Sequence, residues 1–332
     1  MKLRLPITSL LLLTTLMSCQ ENNSSQATTN SSSATTNEAT SINTHRFLTQ
    51  DAYQYIQKQV DFGPRIPGTP EHKACADWLY SELSLYVDYI EMKPTQVKIG
   101  DGTNKPCYNI FGQINPEAEN RILLLAHWDT RPWADMENPP STEPVTGADD
   151  GASGVGVLLA LAKNIHQDLK GDLNVGIDIL FTDVEDYGKT EWGSNSYAIG
   201  TRHWANEAKA NGYQANFGIL LDMVGAANAR FAMEGFSIQY APEVLQKVWK
   251  VAHDSGYGSY FVFEDGHQIT DDHLPINQIL RIPTIDIINL PSGSRTGFVP
   301  HWHTLRDDMS VINHQTLEAV GQTLLNLISE QH

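Results

Sequence analysis

Read as a string of apolar and polar positions, the chain falls into three stretches. Residues 5–17 form one apolar run behind Lys2 and Arg4. Residues 20–44 carry almost only Ser, Thr, Asn, Gln, Ala and Glu. From about residue 45 the apolar positions recur in alternating helical and strand-like groups.

A first helix is expected from Thr49, with Tyr53, Ile56 and Val60 on one face. After the turn Gly63-Pro-Arg-Ile-Pro-Gly68, a second carries Ala76, Leu79, Leu83 and Leu85. Extended stretches follow around 87–99 and 107–114, stopped by Asn115-Pro116. Ile122–Ala126, Val175–Phe181, Phe217–Leu221 and Ile282–Leu290 are short continuous apolar runs, the pattern of strands buried on both faces. Between and after them, 153–166, 194–210 (with Tyr197, Ala198 and Trp204), 242–254 and 314–329 show helical spacing. Alternating strands and helices predict an α/β fold, a mostly parallel sheet covered by helices on both faces in a three-layer sandwich.

The start of the chain changes the picture of where this domain works. Residues 1–18 read as a secretory signal, too short to span a bilayer, ending at Leu16-Met17-Ser18-Cys19, with Cys19 as lipid acceptor. An ordinary cleaved signal with an incidental Cys19 is the alternative. Residues 19–44 then serve as a flexible tether, and 45–332 form one domain. The expectation is an exported monomer at the periplasm or cell surface, touching the membrane only through Cys19. Losing Lys2 and Arg4 with the signal moves the formal charge from −17 to −19. That sign argues against a nucleic-acid partner. It suits substrates with a free ammonium group, or simply a soluble acidic surface. Cys75 and Cys107 remain, with no C-x-x-C, which excludes a cysteine zinc site; they either pair or stay as thiols.

Each buried run is followed by acidic or imidazole groups. They are His127 and Asp129; Asp183, Glu185 and Asp186; Asp222; and, one loop later, His301 and His303. Carboxyl ends of parallel strands line one edge, where ligand crevices form. Gly147-Ala-Asp-Asp-Gly-Ala-Ser-Gly154 leads into the helix at 153, and its aspartates either cap that helix or project into the crevice. So many anions at short range call for a cation. Oxygen and nitrogen donors without thiolate suit Zn²⁺. No G-x-S-x-G, H-E-x-x-H, Walker A or G-x-G-x-x-G motif offers another chemistry. The aspartates of 147–154 would repel phosphate.

These residues resemble the co-catalytic zinc aminopeptidases and the glutaminyl cyclases that share their fold. The matching stretches, in the family's order over roughly 125–305, are Ala126-His-Trp-Asp129, Gly147–Gly154, Phe181-Thr-Asp-Val-Glu-Asp186, Leu221-Asp-Met-Val-Gly225, Asp271-Asp-His-Leu-Pro275 and Trp302-His-Thr304. Trp302-His303 and Asp271-Asp-His273 resemble the cyclases rather than the peptidases. The resemblance implies one zinc held by Asp150, Asp186 and His303, with Glu185 as general base and acid. Asp222 and Asp271 would form a carboxylate network, and Trp192 and Trp302 the pocket wall. Asp186 stands where animal cyclases carry Glu. His127, Asp129 and Asp222 leave room for supporting roles or for a second zinc.

The implied reaction is cyclisation of N-terminal glutamine in peptides to pyroglutamate, with release of ammonia. A two-zinc aminopeptidase and a non-catalytic peptide-binding lipoprotein are the rival readings. Trp78, Trp204 and Trp249 are expected in the core. His301 reads as a loop histidine and His267 as structural, while the Asp-Asp-His context gives His273 a possible supporting role. His72, His166, His253 and His314 are expected on the surface or on helices.

Overall fold

The computed structural model describes residues 45–330, so the signal, Cys19 and the tether lie outside the described residues. Two helices, α1 (Thr49–Asp61) and α2 (Pro70–Leu83), precede β1 (Tyr89–Met92), β2 (Thr95–Lys98), β3 (Asn104–Cys107) and β4 (Ile110–Ile114). Then come β5 (Arg121–His127), α3 (Ala152–Asn164), β6 (Gly176–Thr182), α4 (Ile199–Ala210) and β7 (Phe217–Asp222). The remainder comprises β8 (Phe231–Met233), α5 (Gly235–Tyr240), α6 (Pro242–Asp254), β9 (Phe261–Asp265), α7 (His273–Pro275), β10 (Thr284–Ile288) and α8 (His314–Ser329).

The six-stranded sheet runs β1-β4-β6-β5-β7-β10. Strands β6, β5, β7 and β10 are mutually parallel, and β4 and β1 add an antiparallel edge, so the sheet is mixed. Side chains alternate across it as the pleat requires. Ile122, Leu124, Ile177, Ile179, Ile219 and Leu221 join the large core with α1, α2, α3, α6 and α8. Leu123, Leu125, Leu180 and Leu220 face Ala205 and Trp204 of α4 and the turn at Ile276. This double burial is why those runs read as unbroken apolar segments. A buried Arg121–Asp178 ion pair interrupts the apolar core at the N-terminal end of β5.

Several expectations need correction. Leu85 lies past the end of α2 and is exposed. Helix α4 starts at Ile199, because Ala198 takes a left-handed φ of 51° and its N–H is held by the Glu185 carbonyl. Gly200 there lies so close to the Asp183 carbonyl that any side chain would collide. His72 is on a helix, α2, and is wholly buried there, stacked on Trp128 and bonded to Asp183 at 2.9 Å. Cys75 and Cys107 are buried free thiols, and burial pushes Cys75 up to about 12. Trp249, Trp78 and Trp204 pack in or against the core as expected. Among the described residues no helix is long and apolar enough to cross a membrane.

Candidate active site

The C-terminal ends of β5, β6 and β7 deliver His127, Glu185, Asp186 and Asp222 to one edge. The turn before α3 adds Asp150, and the loop after β10 adds His303. The turn is possible because Gly151 has φ +98°; a Cβ there would lie 2.9 Å from the Asp129 carbonyl and 3.0 Å from the His127 ring. Asp307 fixes the same turn by accepting from the amides of Asp149 and Asp150, at 2.8 and 3.1 Å. Burial, then Asp149 and Asp150, push Asp307 up to about 8. Val184 (φ 55°), Met223 (φ 47°) and His303 (φ 55°) sit in the left-handed region beside the site. For β-branched Val184 this is a strained state held by its surroundings.

Two sets of donor atoms result, and both use Asp150. In one, His303 Nε2 lies 3.4 Å from Asp186 Oδ1 and 3.8 Å from Asp150 Oδ2. In the other, His127 Nε2 lies 3.1 Å from Asp150 Oδ1 and 3.3 Å from Asp222 Oδ1. A tetrahedral ion with bonds of about 2.0–2.1 Å needs donors about 3.3 Å apart. The Asp150–Asp186–His303 set fits that spacing, is buried, and contains only nitrogen and oxygen donors.

Asp129 accepts from the amides of Glu185 (3.0 Å) and Asp186 (3.2 Å), and its Oδ1 lies 3.7 Å from His127 Nδ1. It clamps the loop that bears the other two. Asp149 points away from the metal sets, accepting from Gly225 N (2.7 Å) and paired with His301 Nε2 (2.8 Å). His301, expected to be a mere loop histidine, thereby anchors the loop that carries His303.

The sequence reading missed Arg131 and Asp135. Buried Arg131 donates to Asp186 Oδ1 at 2.7 Å and forks onto Asp135 at 2.8 and 2.6 Å. Asp135 Oδ1 lies 3.4 Å from His303 Nδ1. Burial works against Asp186, but His303 and Arg131 hold it below the usual carboxylate range. Burial likewise opposes ionisation of Asp135, and Arg131 and His303 prevail. The available signal was a lone arginine inside the polar run His127-Trp-Asp-Thr-Arg131.

Asp150, Glu185, Asp186, Asp222 and His303 border a cavity of about 380 Å³, also lined by Asp271, Tyr197 and Phe298. Trp302 stands over His303 with ring centroids 3.7 Å apart and stacks on Phe298 at 4.2 Å. Trp192 is placed elsewhere: it is absent from that lining and packs on Gly100 and edge-on against Trp133. Its neighbours Thr190 and Ser194 in the two short turns at 190–196 do line the cavity. Burial, then Asp271, raise Glu185 well above the usual range, and burial, then Asp222, do the same for Asp271. Burial pushes Asp222 up to about 6. Behind Asp271, His273 is fully buried, 3.3 Å from Glu234. Glu234 accepts from Ile269 N, tying down the cavity wall. Arranged this way, the site can hold one divalent cation against an amide carbonyl while a protonatable carboxyl group stands beside it.

Known proteins agree with that geometry. The profile of Peptidase family M28 matches residues 109–328. Porphyromonas gingivalis glutaminyl cyclase is 46% identical with a TM-score of 0.83, over 86% of this chain and 99% of that one. A Zn-dependent exopeptidase from Parabacteroides distasonis is 44% identical with a TM-score of 0.82, over 85% and 98%. A glutaminyl-peptide cyclotransferase of Drosophila melanogaster is 26% identical over 278 residues, spanning 77% of this chain and 73% of its own length. The chain belongs to peptidase family M28 and, within it, to the group of glutaminyl cyclases.

Proposed function

We infer that this protein cyclises N-terminal glutamine of peptides to pyroglutamate, an acyl transfer within one residue, with zinc as cofactor. The observation that carries this reading is the Trp302–His303 stack. It sets a flat apolar wall against a metal-binding imidazole, beside a carboxyl group, Glu185, that burial holds in its protonatable range.

Asp150, Asp186 and His303 would hold the zinc, which when bound polarises an amide carbonyl and stabilises negative charge on its oxygen. In the reaction the α-amine attacks the γ-amide carbon of the same residue. One C–N bond forms, the bond to the amide nitrogen breaks, and ammonia leaves. Glu185 accepts the proton from the attacking amine and returns it to the departing nitrogen. Asp129 fixes its backbone for that task. Asp222 and Asp271 form a carboxyl network beside Glu185 that helps hold the proton. Trp302 and Phe298 restrict the glutamine side chain to folded rotamers, and preorganisation of this kind is worth up to ~7–11 kcal/mol.

The test is to incubate Gln-Xaa peptides with the protein and measure ammonia and loss of the reactive N-terminus. Free glutamine with a shortened peptide would instead establish an aminopeptidase. One observation favours that second reading: His127, Asp150 and Asp222 form a further donor set. Metal content decides, near one zinc per chain for the cyclase and near two for the peptidase. Burial opposes the charge on His127, yet Asp129, Asp150 and Asp222 raise it well above the usual range.

Export through the signal at 1–18, anchoring through Cys19 and action as a monomer complete the proposal. Metabolic labelling with palmitate, lost in Cys19→Ala, tests the anchor.

A further inference from the structure

A second hollow, of about 560 Å³, adjoins the catalytic cavity. The two share Thr296, Phe298 and Trp302, so the Phe298–Trp302 stack is the partition between them. Their charges differ in sign. Asp150, Glu185, Asp186, Asp222 and Asp271 line the catalytic cavity. The charged residues of the outer hollow are Arg295, Arg306 and Glu137. Glu137 is engaged as acceptor for Leu305 N at 2.9 Å. Arg306 donates to the Pro300 carbonyl at 2.7 Å, which points its exposed guanidinium along the loop, and Arg295 is exposed. A groove of net positive charge stands out on a chain of net charge −17.

We propose that this groove binds the stretch of peptide that follows the glutamine and selects a carboxylate there, from the third or fourth side chain or from the end of a short peptide. The inference rests on the cyclase reading. With the first residue in the inner cavity, everything beyond its carbonyl must leave over a rim. The Thr296–Phe298–Trp302 edge is the rim common to both hollows. At ~3.3–3.6 Å per extended residue, the second residue crosses the partition and the third and fourth lie beyond it. The acidic cavity draws the ammonium end inward while the arginines draw a carboxylate outward, so the two fields align the peptide in one direction.

The experiment mixes pairs of peptides and reads the ratio of their kcat/KM values, which does not depend on the fraction of active enzyme. Gln-Ala-Asp-Ala amide competes against its Asn and Lys counterparts, and Gln-Ala-Ala acid against its amide. At low salt the carboxylate-bearing member should win by about twofold to fivefold, as expected of exposed pairs, and salt should erase the advantage. A preference for Asp alone assigns the carboxylate to a side chain, and one for the free acid alone to the chain end. In the Arg295→Glu, Arg306→Glu double variant, or either single variant, the ratio should fall toward one or invert. Arg46→Glu, the same charge change at a side chain 82% exposed and paired with Glu318, should leave it as it is. Native protein that cyclises every peptide at the same rate, or a preference that survives both arginine changes, overturns this inference alone. A protein that cyclises none of them, glutamine amide included, overturns it together with the cyclase reading.

Discussion

The two donor sets share Asp150 and differ in what stands behind them. Behind Asp186 and His303 lie Arg131 and Asp135, closing a ring that runs through both ligands. Asp135 faces His303 Nδ1, which directs that proton backward and leaves Nε2 as a lone-pair donor. Behind His127 lies Asp129, with its oxygens already taken by two backbone amides. His127 Nε2 itself lies within 3.3 Å of two carboxylates, where, with no second ion between them, it would serve as a proton donor. The lesson is that three well-spaced donors do not by themselves define a metal site. The groups behind them decide whether an imidazole offers a lone pair or a proton.

The sharpest way to break this contrast is to remove each histidine. His303→Ala should lose zinc and activity together, whereas His127→Ala should retain near one zinc per chain by metal analysis. Equal losses would make the two sets equivalent. Next in size, Glu185→Gln should cut kcat by about 10²–10⁴ while zinc stays bound. Loss of metal in that variant would mean that Glu185, not Asp186, is the ligand. Asp135→Asn should weaken zinc by about 10–100-fold in competition with a chelator. The same change at Asp129 should spare affinity and lower thermal stability instead.

The smallest effect is on pH. Asp222 and Asp307 hold protons in the folded chain, at about 6 and about 8, that they give up near 4 when unfolded. In the metal-free protein His127 and His303 are also raised by neighbouring carboxylates, against the cost of burial. The folded state therefore binds more protons than the unfolded one between about pH 4 and 8, and stability falls as pH rises through that window. Metal-stripped protein should lose several degrees of Tm from pH 5 to pH 8. Zinc, which competes with those protons, should flatten or reverse the slope.

Most of the fold was legible because β5, β6 and β7 are buried on both faces, which leaves an unbroken apolar signature. The site was legible for a related reason, since each such strand ends abruptly in charge. The short elements on either side of α6 were less so. β8, α5 and β9 are three to six residues long, too short for either period to register. Arg131 and Asp135 escaped notice because an ion-pair ring takes its meaning from loop geometry, which spacing does not encode. Trp192 was assigned to the cavity through resemblance, and only the local turn reveals that its ring faces Gly100. The pairing of His72 went unseen because helix periodicity cannot report a carboxylate arriving from 111 residues away.

The clamp that Asp129 places on the amides of Glu185 and Asp186 has a consequence for redesign. With both main-chain nitrogens gripped by one carboxylate, neighbouring arms spring from a common fixed mount, and reach is set by side-chain length alone. Exchanging them as Glu185→Asp with Asp186→Glu would transfer one methylene from proton carrier to ligand without disturbing that mount. The interval between the ion and the proton carrier thus becomes an adjustable dimension of the catalyst.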